Sequence, residues 1–109
     1  MIVATARLTL SLPGNASLKG KRKVLRRILD KSKHRFNAAV AEVDAMDDHR
    51  RLVLGVAVVS NDARHANSMI DTILDFMATA SDAVLVDRRL ELVHVGEMDD
   101  EWGGSWDDG

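Results

Sequence analysis

A single α+β domain, with four antiparallel strands in one sheet and two helices covering one face, is predicted from three features of the sequence. Apolar residues alternate strictly over Ile2–Leu12. They recur at helical spacing over two later segments, and the resulting element order is β-α-β-β-α-β. The 109 residues suffice for one core of ordinary size, and no internal repeat points to a solenoid.

The first segment places Ile2, Ala4, Ala6, Leu8, Leu10 and Leu12 on one face and Thr5, Arg7, Thr9 and Ser11 on the other, the pattern of a half-buried strand. Pro13, Gly14 and Asn15 punctuate the chain. Ser17 then stands where a helix N-cap belongs, because its hydroxyl accepts from an otherwise unpaired first-turn amide. Leu18, Val24, Leu25, Ile28, Leu29 and Phe36 gather on one side at about 100° per residue, predicting an amphipathic helix from Leu18 to about His34.

Asn37–Met46 reads as a second strand and Asp47–Arg50 as the turn that follows it. Arg51–Ser60, an apolar run of strand length, is expected to be buried on both faces. Ser60, Asn61 and Asp62 are cap candidates for a second amphipathic helix carrying Ala66, Met69, Ile70, Ile73, Leu74, Met77 and Ala80. Ala83–Val95 returns to strand character. With right-handed crossovers this is the ferredoxin-like arrangement, a four-stranded antiparallel sheet with both helices on one face and the first and third strands in the centre. Met46, Met69 and Met77 read as core filler.

Absence of cysteine removes disulfides, thiolate nucleophiles and cysteine-ligated metals, and fits a reducing cytoplasm. Apolar stretches are strand-sized, and the N-terminus lacks the layout of a signal peptide, so membrane insertion and export are not expected. The net charge of -2 conceals an asymmetry. Nine of the fifteen cations, Lys19, Lys21, Arg22, Lys23, Arg26, Arg27, Lys31, Lys33 and Arg35, lie in one stretch whose single acid is Asp30. Residues 1–96 hold all fifteen cations against eleven acids, a balance of +4, while residues 97–109 hold six acids and no cation. The expected organisation is therefore a ferredoxin-like domain over 1–96 and an acidic, disordered tail over 97–109.

Segments LSLPGNASLKGKRKVLRRI, RFNAAVAEVD and LGVAVVSND, in this order, resemble the blocks of the YlxP-like family of small bacterial proteins of unknown function. The resemblance covers roughly residues 1–95. It implies a ferredoxin-like fold and a bacterial cytoplasmic setting, and family genes often lie beside those for a translation initiation factor and ribosome-binding factor A. It implies no activity and no catalytic residues. Gly20 replaces the acid of the family's usual SLKDKR, which leaves this helix start more positive, and the tail lies outside the resemblance.

The start of the first helix is the most informative candidate site. A helix N-terminus already carries about half a positive charge, and each exposed cation in the first turn costs roughly 0.3–1 kcal/mol. Lys19, Lys21, Arg22 and Lys23 sit against that gradient, while Gly20 leaves the backbone open to close approach. Free amides, dipole and cations together suit a phosphate group. Lys21 falls inside the apolar stripe, so its ammonium is expected to snorkel past the rim. The alternative is a solvated helix face with some cations paired to Asp30 or to the tail.

The central strands carry no aromatic residue, which disfavours base stacking on the sheet and leaves backbone or shape recognition if the partner is RNA. Other constellations are weaker. His34, His49, His65 and His94 lie in four different elements without metal-ligand spacing, and Asp44, Asp47, Asp48 and His49 read as an ordinary turn. No metal, cofactor or catalytic set is called for. Trp102 and Trp106 of the tail are candidates for packing or cation–π contact with the basic helix. The function expected is a non-enzymatic cytoplasmic factor that associates with ribosomal RNA or a ribosome-assembly intermediate through the first helix. The alternative is a module without a nucleic-acid role, dimerising through a strand edge or helix face and binding a small ligand near Pro13–Ser17.

Overall fold

A computed structural model describes residues 1–96. Its elements are β1 (Ile2–Ser11), α1 (Leu18–Arg35), β2 (Ala39–Asp44), β3 (Arg51–Ser60), α2 (Ala63–Thr79) and β4 (Val84–His94). The sheet is antiparallel in the order β2-β3-β1-β4, so the first and third strands are central as expected. Tail residues 97–109, Trp102 and Trp106 among them, lie outside the described residues.

The alternation of β1 sorts its side chains as predicted. Ile2, Ala4, Ala6, Leu8, Leu10 and Leu12 are buried against the helices, with Leu52, Leu54, Val56 and Val58 of β3 beside them. From above, Ile28 of α1 and Ala66, Ile70, Ile73, Leu74 and Met77 of α2 close the core. Each fully buried Leu, Ile or Met contributes about 1.5–3 kcal/mol of transfer free energy, which fixes which face of each helix turns inward. Asp62 caps α2 by accepting from the Arg64 amide at 3.2 Å.

Three expectations need correction. β3 is not buried on both faces: Val53 is fully buried on the open face, but Val59 there is 63% exposed, because both helices pack on the opposite side. β2 is shorter than predicted. Ala45 adopts φ 53, and the strand stops at Asp44, whose carboxylate accepts from the Ala45 amide at 2.7 Å. Met46, carried out by that turn, is exposed, whereas Met77 is buried and Met69 packs partly against the core.

Edge strand β4 is fastened to α2 by Arg88, whose guanidinium reaches Asp75 at 2.7 Å and Asp71 at 2.9 Å. Those hydrogen bonds, with the Asp75 bond foremost, raise the Arg88 pKa further above its already high value. On the open face Arg7 of β1 reaches Asp44 of β2 across β3.

Candidate functional site

Helix α1 begins as its sequence dictates. Ser17, in extended conformation, accepts from the Gly20 amide at 3.1 Å. Asn15 donates to the carbonyls of Ser17 and His49, tying the loop before α1 to the turn after β2. Gly20 is therefore not an opening for an anion. A Cβ there would overlap the Asn15 carboxamide oxygen, so the close approach that glycine permits is already used within the chain. Polar groups of Asn15 and Ser17 in the loop considered for a small ligand are engaged with the protein itself.

Lys21 does not belong to the anion-facing set. It is 2% exposed, and its Nζ donates to the Ala45 carbonyl at 2.6 Å and to the Met46 carbonyl at 3.3 Å. Glu42 Oε2 lies 3.0 Å away in a charge contact that lacks hydrogen-bond geometry. Its angular position is the cause. With Leu18 at 0° and 100° per residue, Lys21 lies near 300°, between Val24 and Leu25 and beside Ile28, so it points at the sheet. Burial there is tolerated because a carboxylate and two carbonyls replace the lost water.

The other cations take the opposite side. Lys19, Arg22, Lys23, Arg26, Arg27, Lys31, Lys33 and Arg35 are all exposed. On the same projection the first seven fall within a sector of about 180°, over an axial span of about 21 Å. Among the described residues, none of these seven forms an ion pair or side-chain hydrogen bond, and Asp30 neutralises none of them. Arg35 differs: its guanidinium stacks 4.8 Å from the Phe76 ring centre and 5.6 Å from that of Phe36, while the two rings meet edge to face at 5.3 Å. The first turn of α1 contains no acid to offset the dipole, and the last turn holds Lys33, His34 and Arg35, where cations are favourable.

The remaining candidates come apart. The four histidines lie in separate elements, and among the described residues no group of three His, Asp or Glu side chains is placed to hold a metal. Asp44 is held below the usual aspartate range by the Ala45 N–H first and by Arg7 as well. Asp48 accepts from the Arg50 amide within its own turn. Sequence reasoning missed the pairing of Lys21 with Glu42 and of Arg88 with Asp71 and Asp75. The available signals were a cation inside an apolar stripe, and an i, i+4 pair of aspartates on a helix.

Fold and helix thus define a ferredoxin-like α+β protein with a one-sided cationic surface. The chain belongs to the family described as "Protein of unknown function (DUF503)", whose model matches residues 3–90. It is 34% identical over 61 residues to the uncharacterized protein YlxP of Bacillus subtilis (strain 168), a match spanning 56% of this chain and 66% of that relative, just under two thirds of its length. It is also similar, in fold alone, to a de novo designed protein with a ferredoxin fold solved by solution NMR, with TM-score 0.54, 16% identity and 89% of each chain covered. Among the described residues, no helix is long and apolar enough to cross a membrane.

Proposed function

We propose that this protein is a non-enzymatic cytoplasmic factor that associates with ribosomal RNA or a ribosome-assembly intermediate through the exposed face of α1. The observation that carries the reading is the row of seven exposed cations, Lys19 to Lys33, unpaired among the described residues, on a helix with one intervening acid. Leaving so many like charges side by side costs stability, and a polyanion that neutralises several at once offsets that cost by releasing counterions. RNA suits the surface better than a single small anion, because the cations are spread along a line rather than converging on one point. Recognition through backbone and shape follows from the aromatic-free central strands, which offer no stacking platform. In this reading the acidic segment 97–109, outside the described residues, competes for the same helix through its charge, with Trp102 and Trp106 as the candidate contacts.

Co-sedimentation of the full chain with ribosomal subunits, at low and high salt, tests the proposal. Engagement of about five phosphates gives a slope of log affinity on log salt of about −4. Reversing Arg22, Arg26 and Arg27 to Glu abolishes co-sedimentation and leaves the circular dichroism spectrum unchanged, since all three side chains face solvent. Binding that survives this triple reversal refutes the assignment.

A further inference from the structure

β4 is an eleven-residue edge strand of unusual character. Of the ten large hydrophobic residues exposed among the described residues, six, Val84, Leu85, Val86, Leu90, Val93 and Val95, lie on it or directly after it. Edge strands are normally short, charged or covered, because unpaired N–H and C=O groups beside apolar side chains recruit another strand.

The ladder shows which backbone groups are free. The Val95 amide donates to the Met1 carbonyl at 2.8 Å and the Met1 amine to the Val95 carbonyl at 3.2 Å, closing one hydrogen-bonded pair. Continuing the β1–β4 register through Val93 with Val3, Glu91 with Thr5 and Arg89 with Arg7, the alternation of antiparallel pairs aims the N–H and C=O of Leu92, Leu90 and Arg88 away from β1.

We infer that β4 is a dimerisation edge that pairs antiparallel with β4 of a second copy about a twofold axis at Leu90. Charge complementarity favours this register, in which Arg89 exchanges its own-strand contact with Asp87, 3.0 Å away, for one across the interface. Centred on Leu90, Arg89 faces the partner's Glu91 and Glu91 faces the partner's Arg89, both in the closer, non-hydrogen-bonded positions. Arg88 lays its aliphatic stem beside the partner's Leu92. Centring on Arg89 sets Arg89 on its own copy and Asp87 against the partner's Glu91. Centring on Glu91 sets two carboxylates together, and centring on Arg88 opposes two arginines. Slipping by one residue puts the faces out of step. The bulge between Asp87 and Leu85 confines regular pairing to the C-terminal part of the strand. An isologous contact of this kind yields one eight-stranded sheet, with α1 of each copy near the outer edge, beside β2. This inference stands independently of the RNA reading.

Sedimentation equilibrium of the full chain across a dilution series supplies the test. A monomer–dimer equilibrium is expected, and Arg89→Glu or Glu91→Arg alone, each placing two like-charged pairs at the interface, raises the dimer dissociation constant about tenfold. The double variant Arg89→Glu/Glu91→Arg restores the original affinity. Both side chains are exposed, so circular dichroism stays unchanged, and amide exchange at Leu90 and Leu92 slows with increasing protein concentration. A monomer at every concentration, or a dimer indifferent to both single reversals, overturns the inference.

Discussion

Lys21 and Arg22 are neighbours in sequence and opposites in role. A rotation of 100° separates a solvent-exposed guanidinium from an ammonium enclosed by Glu42 and the carbonyls of Ala45 and Met46. Lys21 acts there as a built-in cation that holds the turn after β2 against the first turn of α1. Replacing it with methionine leaves Glu42 without a counter-charge and the Ala45 and Met46 carbonyls without their donor. The cost is about 2–3 kcal/mol, below that of a fully buried pair because Glu42 keeps 19% of its side chain exposed. Urea unfolding checks this: Lys21→Met lowers the midpoint strongly, and Lys21→Met/Glu42→Met recovers about 1 kcal/mol of the loss. A Lys21→Met change within about 0.5 kcal/mol of zero, as for a surface lysine, contradicts the role. The angular position of Lys21 was legible in the sequence, but its partners were not. A helical projection contains no information about a strand contributed from 21 residues further on, nor about carbonyls exposed by the left-handed Ala45. Gly20 was misread for the same reason, since Asn15 fills the space that the missing side chain leaves.

At the scale of elements, periodicity was sufficient wherever one face met the core and the other met water. β1 and α1 fall within a residue of their predicted bounds, α2 holds the predicted apolar residues with Ala80 as its C-cap, and the strand order follows from crossover handedness. Periodicity was insufficient at β3 and β4, whose apolar residues on the exposed side look in sequence like buried ones. Short β2 is held at its end by Asp44, through the Ala45 N–H and through Arg7 across the sheet. Because these contacts lower the Asp44 pKa in the folded state, their stabilisation is fully present above the ordinary aspartate range and is lost as pH falls through the folded value. Asp44→Asn therefore flattens the acid limb of a stability-against-pH curve while the curve near neutral pH keeps its shape. The Arg7 part of the effect shrinks with added salt, because both groups are exposed. Unfolding midpoints measured from neutral to acid pH for wild type and variant check the sign, and an unchanged acid limb refutes it.

For the whole molecule the decisive quantity is where the charge sits. The net charge of -2 is the sum of a +4 domain and six acids after residue 96. In the proposed function those acids compete from within the chain, since 13 residues have a contour of about 45 Å against about 27 Å for the 18 residues of α1. In that proposal an RNA partner displaces a polyanion carried by the same chain. A chain ending at Val95 consequently binds ribosomal subunits more tightly than the full chain, by about tenfold at low salt, and the difference narrows as salt screens both interactions. Trp102 and Trp106 are the only tryptophans, so fluorescence reports on the tail alone. Contact with α1 gives blue-shifted emission that moves toward the water-exposed value as salt rises, and in the Arg22, Arg26 and Arg27 reversal even at low salt. Water-like emission indifferent to salt, together with equal affinity of the two chains, removes the tail from the mechanism and leaves the basic helix to act unopposed.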